Sequence, residues 1–161
     1  MSAVGAAIDI LEGIRDRAAM AAPDAAMAMG ETYQDYLKNV TLRRFAHPPG
    51  TRTPSPRGSP PGDMTGELAR TITCRRGPGG GTYGSAVVSP HTIYACILEY
   101  GGDIAPRRGK YLHWVNDGGA TFVRRVHLEA RPYMAPAARD TIANGSLTLA
   151  AMRSFTANVW G

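Results

Sequence analysis

Val4, Ile8, Leu11, Ile14 and Ala18 recur at spacings of three and four, while Asp9, Glu12 and Asp16 fall off that stripe. This spacing predicts an amphipathic helix with one apolar face turned inward. Pro23 interrupts the pattern and, with Asp24 beside it, is well placed in the first turn of a second helix. Met29, Tyr33, Tyr36, Leu37 and Val40 share one side of that helix, which is expected to end near Phe45, before Pro48. From Thr65 the pattern becomes one of short strands: Ala69–Arg75, Tyr83–Val88, Tyr111–Val115 and Thr121–Leu128. Tyr94–Tyr100 is apolar but short, so a strand and a single helical turn both remain open. Asn116-Asp117-Gly118-Gly119 tolerates positive φ and predicts a hairpin turn. After Pro136 a short helix can run to Ala143 and stop at Asn144-Gly145. Ser146 can then cap a last helix with Leu149, Met152, Phe155 and Val159 inward.

Helices, a run of strands, then helices is an α+β order. The expected architecture is N-terminal helices, a central, mainly antiparallel sheet with a projecting hairpin, and C-terminal helices. The 161 residues suit one domain spanning 1–161. Within it, residues 46–63 read AHPPGTRTPSPRGSPPGD, with six Pro and three Gly. That composition forbids helix or sheet and predicts an extended segment that does not pack. It reads either as a linker or as an arm laid over a neighbouring subunit.

Charge is unevenly spread. Residues 1–40 hold three basic residues against six acids, whereas residues 41–80 hold seven Arg against Asp63 and Glu67; the whole chain carries +5. Arg107, Arg108 and Lys110 cluster before the hairpin, and Arg124-Arg125 fall on a strand, where adjacent side chains take opposite faces. Such cations suit phosphates or the acidic patches of a partner subunit. Sixteen of the 18 basic residues are Arg, which also follows from a GC-rich genome and is weak support for a nucleic-acid surface. No stretch approaches the roughly 20 apolar residues of a membrane span, and no secretory signal is expected.

The chemistry of catalysis finds little support. His47, His91, His113 and His127 show no zinc-type spacing, although His113 and His127 are placed to be cross-strand neighbours. Cys74 and Cys96 lie in apolar contexts and read as buried thiols. The run Gly77-Pro78-Gly79-Gly80-Gly81 lacks the Lys-Ser/Thr and helix of a phosphate loop. Glu99, amid apolar residues, is expected to be structural, accepting hydrogen bonds from an Arg or from amides near the Gly101 turn. No metal, cofactor or catalytic residue is expected.

Three segments in order carry a resemblance. They are Thr65-Gly66-Glu67-Leu68, then Tyr94-Ala95-Cys96-Ile97-Leu98-Glu99-Tyr100-Gly101, then Arg131-Pro132-Tyr133-Met134-Ala135-Pro136-Ala137. Together they resemble the tail-completion, or head–tail joining, proteins of long-tailed bacteriophages, over roughly residues 24–145. The resemblance implies a structural virion protein, assembled in the host cytoplasm. It would act as a homo-oligomer, typically a hexameric ring, between the head connector and the tail tube or tail terminator. Arg107, Arg108, Lys110, Arg124 and Arg125 become candidate subunit or partner contacts, with transient contact to DNA in the channel as a second destination. A tail terminator or head-closure protein of the same neck is the nearest alternative; a small basic nucleic-acid-binding module is a more distant one.

Overall fold

The computed structural model describes residues 3–45, 55–62, 65–116 and 118–160. Helix α1 spans Ala3–Tyr36 and continues through a π-helical turn, Leu37–Thr41, into a 3-10 turn, Arg43–Phe45. Then come α2 (Glu67–Thr71), β1 (Thr73–Arg76), β2 (Ala86–Ser89), α3 (Ala95–Tyr100) and β3 (Gly102–Ile104). The remainder is β4 (Leu112–Asn116), β5 (Gly119–Val123), β6 (Val126–Leu128), α4 (Met134–Ala143) and α5 (Ser146–Trp160). The class is α+β, with helices at both ends. Among the described residues all strand pairs are antiparallel, but they form three two-stranded ladders, β1–β2, β3–β6 and β4–β5, in place of one central sheet.

The expected break at Pro23 does not occur; α1 runs straight through it. An interior proline removes one ladder hydrogen bond and crowds the preceding turn. Here tertiary packing outweighs that cost, because α5 lies along α1 and the β1–β2 ladder lies across it. The ladder comes close at two glycines. A Cβ on Gly84 would sit 2.4 Å from the Pro23 Cα, and one on Gly30 would sit 2.6 Å from the Cys74 Sγ. Arg76 of β1 also pairs with Asp24, one residue past the proline.

The inward faces of the terminal helices differ from expectation. On α5 only Val159 is buried; Leu149, Met152 and Phe155 are exposed. The covered side instead carries Leu147, Ala150, Ala151 and Ser154. Small residues allow closer helix approach, and α1 offers Ala18, Ala21, Ala22 and Ala25 to match. At the start of α1, Val4, Ile8 and Leu11 are 69%, 51% and 66% exposed, so the first three positions of the predicted stripe face outward, while Ile14 and Ala18 are half-buried.

The core gathers where α1 ends. Leu37, Leu42, Leu68, Ile72, Ala95, Tyr133 and Ala137 form one buried cluster. Thr65-Gly66 opens α2 and not a strand. Gly66 adopts φ +71°, the Thr65 hydroxyl accepts from the Glu67 N–H at 3.3 Å, and the Gly66 carbonyl accepts from Arg70. The expected Ala69–Arg75 strand is therefore split between α2 and β1. Likewise Tyr94–Tyr100 resolves as a helical turn, and the Thr121–Leu128 run breaks into β5 and β6.

The Pro-rich segment also departs from expectation. Residues 46–54 and Asp63 lie outside the described residues, but residues 55–62 pack on their own body. Ser55 and Pro61 are buried, and Arg57 meets Glu129 at 2.8 Å. A proline ring needs only an apolar wall to bury against, and Leu42, Leu68 and Leu98 line one with Pro61. Cys74 is half-buried, its Sγ 3.9 Å from the Met27 sulfur, whereas Cys96 is exposed on α3.

Replacing Gly30 or Gly84 by Ala is expected to lower the unfolding free energy by about 1–3 kcal/mol, because backbone or short side chains would have to shift. Gly13→Ala, where nothing lies within 4 Å, is expected to cause no loss. Urea titration followed by circular dichroism measures all three.

Candidate functional site

Glu99 sits buried in the last turn of α3. Its Oε2 accepts from the backbone N–H of Tyr133 at 2.8 Å and of Met134 at 3.0 Å, and its Oε1 accepts from Ala135 at 3.0 Å. These are the first donors of α4, which have no partner within their own helix. The next residue, Pro136, has no N–H, and the Ala137 N–H already reaches the Tyr133 carbonyl. Every amide at the start of α4 is thus accounted for. A negative charge at a helix N-terminus also complements the helix dipole. The amides are those of α4, about 35 residues further on, and not those near Gly101.

The surrounding motif residues serve the same junction. Gly101 closes α3 with φ +70°, its N–H donating to the Ile97 carbonyl. A Cβ there would sit 2.7 Å from the Ala130 N and 2.9 Å from the Leu128 carbonyl oxygen, so both angle and space demand glycine. The Arg131 N–H donates to the Leu98 carbonyl at 2.7 Å. Its guanidinium donates to the Ser55 carbonyl at 2.6 Å and to the Ser55 hydroxyl, holding residue 55 against the body. Pro132 leads into Tyr133, which is wholly buried, and Tyr94 and Leu98 pack against the same cluster. Tyr33 of α1 donates to the Met134 carbonyl at 2.8 Å.

A cleft lined by Tyr33, Thr92, Cys96, Glu99 and Tyr133 adjoins this junction. The Tyr33 hydroxyl is pushed up to about 12, first by burial and then by the charge of Glu99. Tyr133 is raised for the same two reasons in the same order. Both stay protonated at neutral pH. Glu99 commits both of its oxygens to amides at the start of α4, three donors in all. The buried hydroxyls of Thr92 and Tyr133 have no hydrogen-bond partner among the described residues.

The second feature is the β4–β5 hairpin. Leu112 pairs with Val123 and Asn116 with Gly119; Asp117 lies outside the described residues. The hairpin packs mainly on itself. His113 faces Phe122 across it, ring centroids 4.6 Å apart, while His127 pairs with Asp103 in a different ladder, so the two histidines are not neighbours. The break at Arg124-Arg125 is the reason: it separates β5, which pairs with β4 and His113, from β6, which carries His127 to β3.

Arg107, Arg108 and Lys110 are exposed in the loop before β4. Arg124-Arg125 occupy the bend between β5 and β6, and not a strand, and they part company there. Arg125 reaches Asp103 at 3.3 Å, beside the His127–Asp103 contact at 2.9 Å, while the Arg124 guanidinium lies 5.9 Å from the Tyr111 ring centre. The predicted cations therefore divide into one structural pair and four that meet no carboxylate among the described residues.

Among those residues no group of three or more His, Cys, Asp or Glu is placed to hold a metal. No helix among them is long and apolar enough to cross a membrane. No protein-family model, curated protein or solved structure matches the chain.

Glu99→Ala is expected to destabilise the fold by about 3 kcal/mol, since three part-buried amides lose a charged acceptor. Glu99→Gln keeps one acceptor oxygen and is expected to cost about 1–2 kcal/mol, while Pro136→Ala adds an unmatched donor at a cost of about 1 kcal/mol. Thermal and urea unfolding rank the three, and equal values for Ala and Gln would show that charge and acceptor number do not matter here.

The raised tyrosine gives a pH dependence with a definite sign. Its folded pKa of about 12 lies above the ordinary 10.0, so the protonated form is favoured by folding. The resulting stability is complete below about pH 10 and is lost as pH rises towards about 12. Ultraviolet titration should lose one late-ionising tyrosine in Tyr33→Phe, with the early-ionising set unchanged.

Proposed function

We propose that this chain is a structural subunit of a long-tailed phage neck, a tail-completion protein that works as one member of a ring between head connector and tail. The observation that carries the reading is the Glu99 junction. The Tyr-Ala-x-x-x-Glu-Tyr-Gly and Arg-Pro-Tyr-Met-x-Pro-Ala segments, which carry the resemblance, are the two sides of one buried cap. Their residues are therefore fold-defining, and the acid that most resembles a catalytic group caps a helix with both of its oxygens. Function then resides in the surface.

That surface supports contact with protein subunits. Apolar side chains stand exposed on α1, α5 and the hairpin, and exposed cations cluster at the hairpin base. A head-to-tail contact between identical chains closes into a ring when its rotation permits. The same four cations favour a second reading, contact with DNA phosphates in the channel. The protein partner suits them better, because tight phosphate contacts would retard DNA that has to move through.

Arg107, Arg108 and Lys110 changed together to Glu should leave the circular dichroism spectrum intact and stop head–tail joining. Each exposed ion pair contributes at most about 1 kcal/mol, but a ring repeats it in every copy. Complementation of a phage lacking the protein reads the outcome, and image reconstruction of assembled necks reads the copy number. Normal infectious particles from the triple variant, or one copy per particle, would defeat the proposal. A salt-dependent affinity of the isolated chain for DNA, lost in the same variant, would favour the second reading.

A further inference from the structure

Two parts of this molecule stand unpartnered, and they complement each other. On the hairpin, alternation sorts side chains into two faces. Leu112, Thr121 and Val123 share a half-covered face with Trp114. His113, Val115, Ala120 and Phe122 share the other, which is fully open, with Val115 71% and Phe122 62% exposed. The same register carried one step further places Tyr111 opposite Arg124, the pair in cation–π contact, at the edge of that open face. A two-stranded hairpin standing alone is marginal in water, so an uncovered apolar face on one calls for a partner.

The start of α1 has the opposite charge. Val4, Ile8 and Leu11 form an exposed apolar stripe, and Asp9 and Glu12 beside it are the only charged side chains from residue 4 to residue 14. Neither acid has a cationic partner among the described residues. The exposed helical stretch of residues 4–13 is about 15 Å long at 1.5 Å per residue, and a five-residue strand is about 17 Å. Length, apolar character and charge sign all match.

We infer that the β4–β5 hairpin of one copy docks on the exposed amino-terminal turns of α1 in a second copy. His113, Val115 and Phe122 would lie against Val4, Ile8 and Leu11, and the hairpin's cations would face Asp9 and Glu12. This rests on the reading of the chain as a self-assembling subunit and specifies the contact that joins neighbours. The surfaces are different, so the contact is heterologous: each copy gives a hairpin and receives one. Such contacts propagate and close into rings.

Complementary charge reversal tests the pairing in the full-length chain. One variant carries Arg107→Glu, Arg108→Glu and Lys110→Glu; the other carries Asp9→Lys and Glu12→Lys. All five side chains are exposed, and circular dichroism checks that both variants fold. Each alone sets like charges against each other, so self-association by sedimentation velocity is expected to weaken about tenfold or more. Mixed in equal amounts, the variants restore opposite charges at every contact, alternating around an even-numbered ring, and association returns to near the wild-type level. As a second measurement, a photo-crosslinking amino acid at Val115 in otherwise wild-type chains should link to residues 4–12 of another copy, identified by isotope-labelled mixing. Wild-type self-association with no rescue on mixing, or Val115 linked elsewhere, overturns the docking while leaving the ring reading intact. Absence of self-association in both solution and assembled particles overturns the ring reading and this contact with it.

Discussion

A carboxylate withdrawn from water has to be met by donors, and the way Glu99 meets them governs how this chain folds back on itself. Three amides at the start of α4 supply the donors, so the last turn of α3 is fixed to the amino end of α4. Once they are fixed, α3 must stop abruptly, which Gly101 allows, and the chain before α4 must pass within contact of that glycine. The Arg131–Leu98 backbone bond follows from the same geometry, and Tyr133 is carried into the core beside Leu37 and Ile72. Removing the charge would leave donors unsatisfied in a site with little water to replace it.

Around this junction the molecule is thin. The fully buried cluster is small, and the strands make three separate ladders, none of which has the width to form a second core. The long α1 acts as a spine on which the β1–β2 ladder and α5 are laid side by side. Its carboxyl end is sealed by the core, and its amino end extends past that cover. The buried core is therefore gathered at one end of the spine and exposed apolar side chains stand at the other.

Much of the architecture was legible in the residues, and what was not has identifiable causes. The hairpin, the helix after Arg131-Pro132 and the α+β order follow from turn chemistry and periodicity, which are local. Glu99 was recognisable as a structural acid because an ionised side chain amid apolar residues requires partners, but which amides served it depended on a contact across the chain. Pro23 misled because local propensity argues for a break and the packing of Gly84 and α5 overrides it. Leu149, Met152 and Phe155 misled for a different reason. Periodicity identifies an apolar face, but it cannot say whether that face meets the same chain or another. On α5 the small residues took the intramolecular side.

The pairing of α1 with α5 has a consequence for biosynthesis. More than a hundred residues separate the end of one helix from the start of the other. As the chain emerges from a ribosome, α1 is made early, and its packing partner does not exist until α5 has been synthesised. Contacts so distant in sequence slow folding and lengthen the time that apolar surface stays open to other molecules. A product cut short before α5 would leave the side of α1 that α5 covers exposed. The covered side of α1 is therefore complete only in chains that carry both helices.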